Sequence, residues 1–228
     1  FTVFAPTDDA FAKLPAGTLA GLSNDQLATI LKYHVVGKEL PSTALTAGPA
    51  KTVADYAAFV TITGSTVKVN TATVTTADVE ASNGVIHVID TVLLPPNLVE
   101  AATYGGFTKL VAAVTKAGLA DALTAATPEK TVFAPTDAAF AKVPQATLDA
   151  LAADPAKLKA VLLYHVVQGS VASGDVVKLT SAKTLNGANV AIKVQDGSVF
   201  LNGAKVVTPD VKASNGIIHV IDSVIVPP

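Results

Sequence analysis

The chain has 228 residues, half of them apolar, with 16 basic and 18 acidic side chains, 13 prolines and no cysteine, methionine or tryptophan. That length and apolar content allow two ordinary domains with sizeable cores, while a formal charge of −2 without a basic stripe speaks against a nucleic-acid partner. The missing cysteines exclude a disulfide framework and thiolate chemistry, and no apolar run reaches the roughly 18 residues that a membrane helix needs.

Chain order exposes a repeat. FTVFAPTDDAFAKLP from Phe1 returns as KTVFAPTDAAFAKVP from Lys130, LKYHVVG at 31–37 returns as LLYHVVQ at 162–168, and ASNGVIHVID at 81–90 returns as ASNGIIHVID at 213–222. A spacing of about 130 residues is far too long for a solenoid unit and marks two whole domains, 1–96 and 97–228. In each copy TVFAP predicts a short strand ended by proline. Thr7 or Thr136 then caps a helix whose first turn carries Asp8 or Asp137. An amphipathic helix follows at Asn24 to Tyr33 and at Gln145 to Tyr164, the second broken in two by Pro155. Leu148, Leu151, Leu158 and Leu162 are expected among its buried positions. The remainder alternates like β-structure, with turns at Gly64 and at Asp196-Gly197, the latter a type I′ signal. Helices in front and hairpins behind give an α+β class.

The copies differ at their front. Residues 97–130 of the second copy have helical period, with Asn97 and Glu100 placed as N-cap and N3 partner, Leu110, Val111 and Val114 on one face and Gly118 at a helix end. The first copy has no counterpart before Phe1. With no methionine present, the sequence reads as a processed piece, and the expectation is that residues ahead of Phe1 supply the matching helices. The junction Pro95-Pro96-Asn97 contains no Gly/Ser tract, which predicts a stiff connection. No Asn-x-Ser/Thr site occurs, which favours a bacterial over a glycosylated eukaryotic source.

All four histidines fall in repeated motifs. In VIHVIDTVLL, strand alternation puts His87 with Val85 and Ile89 on one face and Asp90 with Ile86 and Val88 on the other. His87 with Asp90, and His219 with Asp222, therefore cannot form a dyad within one strand, and each is expected to satisfy a nearby backbone group. Asn83-Gly84 and Asn215-Gly216 read as two-residue turns with positive φ at both positions. Tyr33-His34 and Tyr164-His165 sit where the helix gives way to a strand, and packing is the expected role for a histidine whose motif supplies no carboxylate or thiol partner. No Gly-x-Ser-x-Gly, His-x-x-x-His, Cys-x-x-Cys or acidic calcium loop is present, so no catalytic residue, metal ligand or cofactor site is assigned.

TVFAPTD-x-AF, then Tyr-His, then Asn-Gly-x-Ile-His-Val-Ile-Asp, twice in the same order, resembles the fasciclin-type domain. The likeness spans the second copy and roughly the last three quarters of the first. It implies a wedge-shaped β-sandwich with packed helices, and a secreted or surface-anchored, non-enzymatic adhesion module whose partner is a cell-surface or matrix protein or a polysaccharide. In integrin-binding members contact is assigned to the Tyr-His pair and to an Asp-Ile step before the Asn-Gly turn. Carried over, these are Tyr33, His34, Asp78 and Val79, and Tyr164, His165, Asp210 and Val211. The step here reads Asp-Val and no Arg-Gly-Asp is present, which argues against integrins. Some algal relatives bind carotenoids, and the mean hydropathy of +0.49 keeps an apolar-ligand carrier of carotenoid or lipid as the alternative.

Overall fold

A computed structural model describes all 228 residues as two compact units, Phe1–Pro95 and Pro96–Pro228. The first runs β1 (Thr2–Pro6), α1 (Asp8–Ala12), α2 (Asn24–Tyr33), β2 (Val35–Val36), β3 (Gly48–Lys51), β4 (Ala57–Thr63), β5 (Thr66–Val69), β6 (Ala72–Ala81) and β7 (Gly84–Ile89), with one 3₁₀ turn at Ser42–Ala44. The second opens with α3 (Leu98–Tyr104), α4 (Thr108–Lys116) and α5 (Ala120–Thr124). It then repeats the plan as β8 (Lys130–Pro135), α6 (Asp137–Ala141), α7 (Gln145–Ala153), α8 (Pro155–Tyr164), β9 (Val166–Gln168), α9 (Ser173–Val176), β10 (Ser181–Lys183), β11 (Asn189–Gln195), β12 (Ser198–Leu201), β13 (Ala204–Ala213) and β14 (Gly216–Ile221).

Each unit is an α+β fold around one seven-stranded sheet, ordered β2-β1-β7-β6-β5-β4-β3 and β9-β8-β14-β13-β12-β11-β10. The β1–β7 and β8–β14 pairs are parallel and every other pair is antiparallel. The bridges Val36↔Thr52 and Val167↔Thr184 bring the ends of each sheet together, so both sheets are nearly barrel-like. The enclosed cores hold Phe4, Tyr33, Val60, Val69, Ile89 and Leu93 in the first unit, and Phe133, Tyr164, Val190, Leu201, Ile221 and Ile225 in the second.

Local chemistry accounts for the element ends. Thr7 and Thr136 accept from the backbone of Ala10 and Ala139, Ser23 with Gln26 and Asn97 with Glu100 form capping boxes, and Gly118 follows α4 at φ +64°. The helical stretch from Gln145 to Tyr164 is two helices, broken at Pro155 as expected. Asp154 accepts from the amides of Ala156 and Lys157, and Pro155 takes the first position of α8, where its missing N–H costs nothing. Leu158 and Leu162 are buried, whereas Leu148 and Leu151 are half-buried. Asp196 and Gly197 both have positive φ, 51° and 71°, the type I′ turn expected there.

The Asn-Gly steps differ from expectation. Ala81 pairs with Gly84 and Ala213 with Gly216, so the loop residues are Ser82-Asn83 and Ser214-Asn215, and neither asparagine has positive φ. The glycines are instead the first residues of β7 and β14, at φ +153° and +154°. A Cβ at Gly84 would lie 2.0 Å from the Phe1 carbonyl oxygen, and at Gly216 2.0 Å from that of Lys130. The parallel neighbour strand passes too close for any side chain. Gly216→Val is therefore expected to cost more than the roughly 1–3 kcal/mol of positive-φ strain alone, because the backbone of β8 must also move. Gly197→Val, at positive φ in open space, serves as the strain-only control. Equal melting temperatures for the two variants would show that the strand contact is unimportant.

Candidate functional site

The repeated motifs converge on one arrangement in each unit. Strand pairing slips between Thr76 and Val79 in β6, and between Thr208 and Val211 in β13, bulging the strand opposite the histidine. At each bulge an aspartate adopts the left-handed region, Asp78 at φ +59° and Asp210 at +57°, a conformation that a short polar side chain tolerates. The Asp78 amide donates to His87 Nδ1 at 3.3 Å, and His87 Nε2 in turn donates to the Leu40 carbonyl at 2.8 Å. Asp210, His219 and Val171 repeat this at 3.3 and 2.9 Å. The aspartate carboxylates reach across to the following turn, accepting from the amides of Ser42 and Ser173 at 2.7 and 2.8 Å and from both serine hydroxyls.

Serine, aspartate and histidine are thus neighbours twice over, but in an order that disables them as a nucleophilic set. The serine hydroxyl faces the carboxylate, and the imidazole faces only backbone. His87 and His219 are buried and stack on Phe4 and Phe133 at 5.7 and 6.0 Å between centroids. Asp90 and Asp222 lie on the opposite side of the strand from these histidines, accepting from the amides of Thr73 and Lys205 and pairing with Lys13 and Lys142 at 3.8 and 3.7 Å.

The Tyr-His pairs are also buried. Tyr33 Oη donates to the Ala57 carbonyl and accepts from Asn70 Nδ2, while Tyr164 Oη uses Asn189 and Asn202 in the same way. His34 and His165 close the last turn of their helices by donating from Nδ1 to Ile30 and Val161 carbonyls at 2.8 Å. They accept at Nε2 from the amides of Leu93 and Ile225 at 2.9 and 3.2 Å. Both ring nitrogens of all four histidines are committed to backbone, and no three His, Asp or Glu side chains gather where an ion could be held.

Burial sorts the residues carried over by resemblance. Tyr33, His34, Tyr164 and His165 are at most 6% exposed and Val211 is 4% exposed, so these five side chains are enclosed in this structure. Of the carried-over residues only Asp78, Val79 (41% exposed) and Asp210 reach solvent. Both hydrogen bonds from Ser42, side chain first and then backbone, hold the Asp78 carboxyl below the usual range, so it stays charged. Sequence reasoning missed Ser42 and Ser173, which complete the rim, Asn70 and Asn202, which anchor the tyrosine hydroxyls, and the buried role of Asn215. The signal was available, since each pair occupies equivalent places in the two copies.

The fasciclin domain model matches residues 1–95 and 105–227. The chain belongs to the fasciclin domain family. It is 32% identical over 237 residues to pig transforming growth factor-beta-induced protein ig-h3, a match covering all of this chain and 35% of that protein, so the chain spans about a third of that relative. It is 45% identical over 131 residues to a Synechocystis sp. protein, covering 57% of this chain and 97% of the other. A solved FAS1 domain pair from the insect cell adhesion molecule Fasciclin I has the same fold, with a TM-score of 0.65 at 23% identity over 99% of this chain and 88% of that one. No helix is long and apolar enough to cross a membrane.

Burial pushes the His165 imidazole down to about 4, against a smaller raising effect of its bond to Val161, and burial lowers His34 and His219 as well. The unfolded chain titrates near 6.5, so the neutral folded form loses stability as pH falls from about 6.5 to about 4, by roughly 3 kcal/mol for His165 alone. Denaturant unfolding of the second unit is expected to weaken steeply across that window and to level off above it. His165→Gln is expected to be less stable at pH 7 but flatter with pH; an unchanged pH slope would show that His165 is not the responsible group.

Proposed function

We propose that the chain is a secreted or cell-surface, non-enzymatic adhesion module that contacts a cell-surface or matrix protein or a polysaccharide. The contact runs through the polar rims at Asp78–Val79 and Asp210. The supporting observation is what the reactive groups are used for: His87 and His219, each with a Ser-Asp pair beside it, hold a loop and a bulge in place, and His34 and His165 hold a helix end to the segment after the last strand. A rim so fixed presents charge and shape at low entropic cost, which suits recognition. The family and the solved cell-adhesion relative agree with this reading.

A groove in the second unit favours a second reading, carriage of an apolar ligand. It encloses about 380 Å³ between Ala112, Leu148, Leu151, Leu158, Leu162 and Val224. Co-purified lipid or pigment detected by mass spectrometry would support this reading.

Beads coated with the chain are expected to adhere to cells or immobilised matrix, less so at raised salt. Asp78→Asn with Asp210→Asn keeps residues that tolerate positive φ and removes both charges, so adhesion should fall several-fold with folding intact. Undiminished adhesion by this double variant would refute the rim assignment. Turnover of a substrate that depends on His87 would refute the non-enzymatic reading.

A further inference from the structure

The outer face of the second sheet repeats the strand plan of the first but not its chemistry. Along β11, β12 and β13 the inward side chains Ile192, Leu201 and Ala204 belong to the core, so their neighbours Lys193, Phe200 and Lys205 point outward. Strand register sets these three in one row, Lys193 opposite Phe200 and Phe200 opposite Lys205. In the first unit the same register reads Thr61, Lys68 and Thr73. An aromatic ring between two cations thus stands where the first unit has a cation between two hydroxyls.

Nothing within the fold uses this row. Phe200 is half-buried and lies outside the core, while Lys193 and Lys205 are exposed and form no ion pair. Lys183, outward on β10, is exposed and unpaired as well. Gln195 and Val207, the latter 48% exposed, continue the face along β11 and β13, and as far as Val207 its outward positions carry no carboxylate. Asp222, just past β14, is taken by the Lys205 amide and by Lys142, and Asp196 lies in the β11–β12 turn.

We propose that the outer face of β11–β13 binds an acidic polysaccharide, with a sugar ring lying on Phe200 and its carboxylate or sulfate groups reaching Lys193 and Lys205. The C–H face of a pyranose is apolar and suits an aromatic ring, and charge-assisted hydrogen bonds from the two ammonium groups hold the acidic substituents. Adjacent strands lie about 4.8 Å apart, so the two lysine backbones are roughly 10 Å apart with the ring between them. That spacing matches a sparsely charged polymer. A nucleic-acid strand bears a charge about every 3.4 Å and calls for a denser basic stripe. An anionic bilayer favours aromatic side chains that protrude into it, whereas Phe200 is half-buried. The inference deepens the adhesive reading and rests on it for the kind of partner, but it concerns a face apart from the rims at Asp78 and Asp210.

The test measures binding of the full 228-residue chain to immobilised polygalacturonate and dextran sulfate. Uncharged dextran, a single-stranded oligonucleotide and vesicles containing an anionic phospholipid serve as comparisons. Saturable binding to one or both acidic polymers and none to dextran is expected, and the polymer preferred separates carboxylate from sulfate recognition. Phe200→Leu keeps an apolar side chain, and Lys193→Gln with Lys205→Gln removes both charges; each is expected to weaken binding at least about fivefold without loss of folding. Should Phe200→Leu lower the melting temperature, the lysine pair decides. Lys32→Gln with Lys68→Gln makes the same charge change in the first unit and should leave binding unchanged. The rim variant Asp78→Asn with Asp210→Asn is expected to bind these polymers at least as well as the original chain, so failure at this face and failure of the rims are told apart. No binding to either acidic polymer, indifference to the second-unit variants, equal loss with the first-unit pair, or tighter binding to the oligonucleotide or the vesicles would each overturn the proposal.

Discussion

The fold of each unit depends on one imidazole crossing a gap that the backbone cannot close by itself. Bending a seven-stranded sheet until its ends meet requires a bulge, and a bulge removes residues from the ladder and leaves amides without partners. At Asp78 and Asp210 the freed N–H lies in the interior shadow of the sheet, where leaving it unpaired would cost about 1–3 kcal/mol. The histidine on the neighbouring strand accepts it at one nitrogen and donates from the other to a carbonyl in the loop before Ser42 or Ser173. Only a side chain that is donor and acceptor at opposite ends of a rigid ring can do both. The neutral ring is required, and burial keeps it neutral for His219.

The same logic runs through the Tyr-His step. Helix α2 or α8 ends inside the core, where its final carbonyls have no water, and His34 or His165 supplies the missing donor while receiving an amide from the segment after β7 or β14. Tyr33 and Tyr164 then hold an asparagine at the β5–β6 or β12–β13 turn. Helix end, closing strand and hairpin are thus linked by three polar residues, with no buried side-chain polar atom left unsatisfied. A network of this kind is sensitive to the loss of any member, because each removal strands a buried group.

Much of this was legible in the sequence. Caps at Thr7, Asn97 and Thr136, the break at Pro155 and the turn at Asp196-Gly197 are local, set within four residues, and sequence pattern carries them. Strand alternation also separated His87 from Asp90. The Asn-Gly step misled because a two-residue turn and a glycine excluded by a crossing strand leave the same dipeptide behind. The deciding contact, Phe1 or Lys130 against the glycine, is long-range. Burial of the Tyr-His pairs was legible as packing, because their motif supplies no carboxylate or thiol partner and both side chains end at most 6% exposed. Ser42 and Ser173 were invisible as single residues and become informative only when the copies are compared.

Comparison of the copies also separates what the fold needs from what function can vary. The imidazole bridges, the crowded glycines and the tyrosine anchors recur in both units, each meeting a backbone group or a close strand approach that the closed sheet creates. The turns that meet the rim aspartates do not recur so closely: the loop after Ser42 is a single 3₁₀ turn where that at Ser173 begins a helix. A module that binds through such rims can change its partner by altering a few exposed positions without disturbing the polar lattice beneath. That separation of scaffold from surface lets exposed positions vary on two equivalent frames while the buried hydrogen bonds beneath them stay the same.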